Sequence, residues 1–194
     1  NCKYFTCFFF FYLGYAEMLF KKKYACKNDF CQIERRYLGY VCRKIENVCI
    51  RVLIWEINSY REKKVLRGKN SEEEYTFFNE SFKNPKRFRD LLEKYPVMHR
   101  QCLEIIHNTF SNIEMCLQRF EKDAETIVKS FFSGETSIEI TDIIMGVGDV
   151  HQNGEEVLNI VLNNKEKIIY KPRTGKNEII YAEILNLIGN SCNL

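Results

Sequence analysis

Proline is scarce in this chain, with three residues in 194, and there is no internal repeat or low-complexity segment. Long apolar runs are absent too. The run from Phe8 to Ala16 stops at Glu17, whereas a membrane-spanning helix needs about 20 apolar residues. No small-x-small cleavage site follows it and the helical pattern continues, so a buried amphipathic helix is expected there rather than a targeting segment. Whether that run packs inside or associates with a membrane stays open. The nine cysteines include no C-x-x-C pair, which removes the closely spaced ligands of structural zinc. Cys42 and Cys49 share a predicted helix face but sit two turns apart, too far for a disulfide. A set of reduced, mostly buried thiols in a cytoplasmic protein is expected. The net charge is only +3, which by itself points to neither nucleic acid nor an anionic membrane. No G-x-S-x-G nucleophile motif occurs. The chain opens on Asn1 rather than Met and closes on a helix-like stretch from Ile184 to Leu194, as expected of a fragment or processed chain.

What is present is a globular composition, 45% hydrophobic and 28% charged, with 15 Phe and 11 Tyr. Residues from Phe5 to Phe132 read as helical. Tyr37, Tyr40, Val41, Ile45, Val48, Cys49, Val52 and Trp55 recur at three and four, which predicts a long helix buried along one side. The polar stretch from Lys63 to Ser71 is a loop, and Ser71-Glu72-Glu73-Glu74 reads as a capping box opening a helix through Phe82. Asn84-Pro85 and Tyr95-Pro96 break the pattern and open two more helices. The second carries Met98, Cys102, Ile105, Ile106, Ile113, Cys116, Leu117 and Phe120, with a bend or pause expected near Asn108 to Asn112. Ser133-Gly134 ends the helical part. The pattern then turns to strands over Ser137 to Met145, Val157 to Leu162 and Lys167 to Tyr170, with a tight turn at Asn163-Asn164-Lys165. A helix is expected from Lys176 to Asn190. These patterns predict an α+β fold: a helical region over 1–133, then an antiparallel β-meander and helix over 134–194.

The chemistry-bearing residues cluster in that second part. A turn, Gly146-Val147-Gly148-Asp149-Val150-His151-Gln152-Asn153-Gly154, joins the first two strands, and Lys171 follows the third. Glycine turns are common in hairpins because glycine accepts positive φ, and most lysines are simply solvated. The order of the pieces is more informative. A glycine turn followed by a strand lysine is the phosphate clamp of a kinase-like small lobe. Asp149 beside phosphate is unfavourable unless it binds a metal, accepts a proton or pins the loop. His151 can donate to phosphate or titrate near neutral pH. Alternatively, Asp149 caps the turn and His151 is only exposed. Pro172 ends the strand or places it at an edge, leaving Arg173 available to a carboxylate or phosphate. Glu178 and Glu183 are candidates to pair with Lys171. His99 and His107 read as ordinary surface or core histidines.

Gly148-Asp149-Val150-His151-Gln152-Asn153-Gly154, followed by Tyr170-Lys171-Pro172-Arg173, resembles the dehydratase domain of class II lanthipeptide synthetases, the LanM family of lantibiotic biosynthesis. The stretches Val52-Leu53-Ile54-Trp55-Glu56-Ile57-Asn58 and Leu91-Leu92-Glu93-Lys94-Tyr95-Pro96-Val97 extend the resemblance, which covers Arg51 to Ile188. It implies an enzyme that uses ATP and Mg²⁺ to phosphorylate Ser and Thr of a ribosomally made precursor peptide and then eliminates phosphate. It also implies a core similar to lipid kinases with added helices, and a separate zinc-dependent cyclase domain. By the same resemblance, Asp149 and His151 act in phosphoryl transfer, while Gly146, Gly148, Gly154, Lys171 and Arg173 bind the nucleotide phosphates. Arg173 matches the motif without so definite a role. The chain stops before a large lobe, so the Mg²⁺ ligands, the catalytic loop and the elimination residues are missing. The expectation is therefore a truncated piece of a synthetase, or a remnant, inactive without the remaining domains. Two rivals stand beside it. One is a non-catalytic helical interaction protein with a structural β-hairpin. The other is an unrelated kinase with a minimal small lobe, against which Asp149 and His151 argue.

Overall fold

The computed structural model of the protein describes residues 4–24, 30–132, 137–151, 154–173 and 175–192. Its elements run in the order α1 (Thr6–Tyr24), α2 (Cys31–Glu62), α3 (Ser71–Ser81), α4 (Pro85–Lys94), α5 (Pro96–Phe131), β1 (Ile140–Ile144), β2 (Leu158–Leu162), β3 (Lys167–Tyr170) and α6 (Lys176–Cys192). The fold is α+β, as the change of periodicity predicts. The expected stop at Ser133-Gly134 lies outside the described residues.

On α1, Phe8, Tyr12, Ala16 and Phe20 recur every fourth residue, and this stripe is buried. Phe20 stacks on Tyr37 of α2 with ring centres 5.7 Å apart. Phe8 meets Phe82, just beyond α3, edge-on at 5.3 Å. Tyr12 and Tyr15 hydroxyls hydrogen-bond His99 Nδ1 at 2.9 Å and His107 Nε2 at 3.0 Å, so the two histidines fasten α5 to α1. Among the described residues no helix is long and apolar enough to cross a membrane.

The stripe on α2 holds at Tyr37, Tyr40, Val41, Ile45 and Cys49, and Leu53 and Ile57 continue it. Trp55 departs from expectation and is 69% exposed. Two residues from Leu53 is roughly 200° around a helix, so Trp55 faces away from the core. The capping box at α3 is also shifted by one residue. Asn70, not Ser71, is the cap: its Oδ1 accepts from Glu73 N at 2.9 Å, while Glu73 Oε2 accepts from Lys69 N at 2.8 Å. The helix α5 runs without the expected pause. Asn112 is buried inside it, and its side-chain amide donates to the Glu156 carbonyl at 3.2 Å.

Cys49 and Cys102 bring their sulfurs to 3.3 Å across the buried α2–α5 contact. Cys7, Cys31, Cys49, Cys102 and Cys116 carry free thiols. Cys42 is disulfide-bonded, which corrects the wholly reduced set. The spacing argument bore only on a Cys42–Cys49 bond, and Cys49 is indeed free.

The three strands form an antiparallel meander in the order β1-β2-β3. Leu158, Ile160 and Leu162 alternate inward with Ile143, and they share one hydrophobic core with the helices. The pairing is irregular between Ile140 and Asp142, where Asp142 forms an ion pair with Arg36 of α2 at 3.0 Å. Lys165, with φ of 69°, closes the tight turn between β2 and β3. On α6, Ile180, Ile184, Leu185 and Ile188 are exposed.

One buried carboxylate ties α2 to the junction between α4 and α5. Glu56 is 2% exposed and its Oε1 accepts from Lys94 Nζ and Tyr95 Oη, each at 2.6 Å. Burial would raise its pKa, but the Lys94 and Tyr95 hydrogen bonds and the Lys94 and Arg87 charges outweigh it and hold the carboxyl below its ordinary value. A depressed carboxylate pKa contributes stability above the unfolded-state value, and that stability is lost as pH falls through the folded one. Glu56→Gln is therefore expected to lower stability at neutral pH by about 1–3 kcal/mol. It should also flatten the loss of stability on acidification, measured by urea unfolding across the carboxylate range. Parallel acid limbs for the two proteins would refute the role.

Candidate functional site

The turn between β1 and β2 is seated on two helices by its glycines. Gly146 has φ of 77°, and a Cβ there would stand 3.1 Å from Tyr40 Cε2 on α2. Gly154 has φ of 73°, and a Cβ would stand 2.4 Å from Asn108 Cβ on α5. Both positions thus require glycine, for backbone conformation and for close packing. The partner Gly154 approaches so closely is α5. Gly148 is different, since its nearest contact would be an ordinary 3.5 Å from Val157 Cβ.

Between these anchors the residues from Gly146 to His151 are exposed. His151 N–H donates to the Glu155 carbonyl at 2.8 Å, and Gly154 N–H to the His151 carbonyl at 3.2 Å. Among the described residues, the N–H groups of Val147, Gly148, Asp149 and Val150 make no hydrogen bond. Exposed consecutive N–H donors in a glycine turn form a concavity suited to an anion. The Asp149 and His151 side chains lie on this exposed stretch. Gln152 and Asn153 lie outside the described residues.

The segment after β3 is held from two sides. Arg119 Nη1 on α5 donates to Tyr170 Oη at 2.9 Å and to the Pro172 carbonyl at 2.8 Å. Arg173 Nε lies 3.6 Å from Glu155 Oε2, and the carbonyl of Glu155 receives the His151 N–H. Tyr170, Pro172 and Arg173 are thus anchored, while Lys171 between them is exposed. Lys171 lies at the rim of a 240 Å³ cavity lined by Cys116, Arg119, Asp123 and Tyr170. Burial pushes the Cys116 thiol up to about 12, partly offset by the Arg119 charge.

The strand register brings these pieces to one end of the sheet. Ile144 pairs with Asn159, and Leu158 pairs with Tyr170. The end of β1, the start of β2 and the end of β3 therefore coincide, which puts the glycine turn and Lys171 at the same edge. Glu183 is exposed, and no ion pair joins it to Lys171 among the described residues. The side chain of Glu178 lies outside them. No three acidic, His or Cys side chains converge as metal ligands among the described residues.

Sequence reasoning overlooked Glu156. It is 2% exposed, and its Oε2 accepts from Tyr40 Oη at 2.6 Å. Burial raises its pKa, against the Tyr40 hydrogen bond, the Lys44 charge and the Gly146 N–H. Beside it, Tyr40, Lys44, Asn108, Val150 and Gly154 line a 320 Å³ cavity between α2, α5 and the turn. The available signal was a carboxylate two residues after Gly154, at the mouth of an apolar strand.

The family model described as a domain of unknown function, DUF4135, matches residues 95–193. That span contains α5, the sheet with its glycine turn, and Lys171. The chain is 33% identical over 142 residues to a protein of Lactococcus lactis subsp. lactis named lacticin 481/lactococcin biosynthesis protein LcnDR2. The match covers 73% of this chain and 15% of that relative.

The two kinds of glycine should separate experimentally. Gly154→Ala forces a left-handed conformation on an L-residue, costing about 1–2 kcal/mol before any clash is counted. It also drives a methyl into Asn108, so a loss of about 2 kcal/mol or more is expected. Gly148→Ala is expected to shift stability by less than about 0.5 kcal/mol. Urea unfolding of the two variants checks the contrast, and equal losses would contradict it.

Proposed function

The chain belongs to the DUF4135 family and is of the class II lanthipeptide synthetase type, and on that premise we propose that it forms the nucleotide-phosphate side of an ATP-dependent Ser/Thr dehydratase. The observation that carries this reading is the pairing of four turn N–H groups, unengaged among the described residues, with an exposed Lys171 at one sheet end. The Lys171 neighbours are all tied down. A lysine neutralises phosphate charge, and preorganised N–H groups hold phosphate oxygens without reorganising during reaction. ATP, when bound, supplies the phosphoryl group. The turn N–H groups and Lys171 hold its phosphates, Asp149 and His151 handle protons in the turn, and Arg173 steadies the turn through Glu155. The acceptor is the Ser or Thr hydroxyl of a ribosomally made precursor peptide, in keeping with the biosynthetic role in the relative's name. Mg²⁺ binding and phosphate elimination are assigned to residues in the remaining domains of the synthetase.

A second reading has its own support. Tyr40 and Asn108 account for Gly146 and Gly154 by packing alone, as a structural hairpin of a helical interaction protein requires. The two readings diverge at Lys171. In the full-length synthetase, Lys171→Met or His151→Ala is expected to reduce precursor phosphorylation by about 100-fold or more. Both side chains are exposed, so thermal unfolding should hardly change. Crosslinking of an ATP analogue to Lys171 is expected in the wild type, and the interaction reading expects none. Phosphorylated or dehydrated precursor forming at the wild-type rate in either variant would overturn the assignment.

A further inference from the structure

Glu156 is a buried carboxylate in a place that does not need one for packing. It lies two residues before the start of β2, where Leu158, Ile160 and Leu162 are buried apolar residues. Replacing a buried charged group by an apolar one of similar volume is often neutral or stabilising, so core formation alone does not call for an ionisable group here. The carboxylate does provide contacts that an apolar side chain lacks. Its Oε2 accepts from the Tyr40 hydroxyl at 2.6 Å, and Gly146 packs on that tyrosine's ring, where an added Cβ would stand 3.1 Å from Cε2. Its own carbonyl accepts from Asn112 Nδ2 at 3.2 Å. Glu156 thereby joins α2, α5 and the first residue of the glycine turn at one point. Gly146 immediately precedes Val147 to Val150, the stretch whose N–H groups are unengaged among the described residues.

We infer that Glu156 is a positioning residue for the phosphate turn: its hydrogen bond to Tyr40 fixes the ring on which Gly146 packs and so sets the direction of the backbone donors that follow, and Asn112 holds Glu156 in place. Glu156 touches neither nucleotide nor peptide in this role and acts through Tyr40. The inference rests on the reading that the turn binds ATP phosphates. It adds two residues far from the motif in sequence, Tyr40 and Asn112, to the support of the site. Preorganised donors bind a phosphate without first being ordered, so loosening them weakens nucleotide binding more than it slows a bound complex.

The test is steady-state kinetics of the full-length synthetase with its precursor peptide, with ATP and peptide varied separately. Glu156→Leu keeps an apolar filling but loses the acceptor, and is expected to raise KM for ATP about 10-fold with a smaller change in kcat and in KM for peptide. Glu156→Gln can still accept from the Tyr40 hydroxyl through Oε1, so it should recover most of the lost ATP affinity. Tyr40→Phe keeps the ring beside Gly146 and is expected to raise KM for ATP about threefold. It decides the matter if Glu156→Leu does not fold. A merely structural role would reduce the amount of folded enzyme without moving KM for ATP. Unchanged KM for ATP in a folded Glu156→Leu, or in Tyr40→Phe if that variant alone folds, overturns the inference. If that happens while Lys171→Met still abolishes phosphorylation, only the positioning role fails. If Lys171→Met is also silent, the reading of the turn itself fails.

Discussion

At Gly154 the backbone runs so close to α5 that one added carbon would stand 2.4 Å from Asn108 Cβ. That approach fixes the far end of the turn on α5, as Gly146 against Tyr40 fixes the near end on α2. Glu156 bridges the two supports through Tyr40 and Asn112. The turn is therefore pinned at its ends and open in its middle. Its position is only as good as the spacing of α2 and α5. The buried contacts between the two helices include the Cys49 and Cys102 sulfurs, 3.3 Å apart, and the Tyr37 hydroxyl, which donates to the Ile106 carbonyl at 3.2 Å. Close-packed seams transmit displacement because they leave no slack. In this chain the helices are the mount of the glycine turn, and the sheet alone would not hold it.

Much of this was legible in the sequence where one physical signal dominated. Pro85 and Pro96 set helix starts because proline suits a first turn, and the change from helical to alternating periodicity announced the meander. The misses have equally local causes. Trp55 was placed in the stripe by its hydrophobicity, but helical rotation from Leu53 turns it to solvent. Asn70 caps α3 one residue ahead of Ser71 because either residue type can cap, and sequence does not show which side chain reaches Glu73 N. The asparagines of α5 read as helix breakers by propensity. Asn112 instead serves a tertiary contact to Glu156 that no local pattern contains. Gly154 reads in the sequence as one end of a phosphate turn, yet the group it approaches belongs to α5, 46 positions earlier in the chain. Glu156 escaped notice because its partners, Tyr40 and Asn112, are 116 and 44 positions away.

The segment around Lys171 shows how neighbours can isolate one side chain. Along β3 the side chains alternate, and Ile168 and Tyr170 turn toward the core while Lys167 and Ile169 are exposed. Lys171 follows on the exposed face by the same alternation. Pro172 withholds a donor at the next position, so the ladder stops there, and Arg119 takes up the Pro172 carbonyl that would otherwise lack a partner. Arg119 also binds Tyr170 Oη, which locks the register. A slip of one residue would exchange the two faces. It would send the Lys171 ammonium toward buried Cys116 and deprive Arg119 of its tyrosine. The cost of desolvating that charge beside the Arg119 cation makes the slip unfavourable. Tyr170, Pro172 and Arg119 thus act together to keep the Lys171 ammonium exposed at the sheet end that also carries the glycine turn.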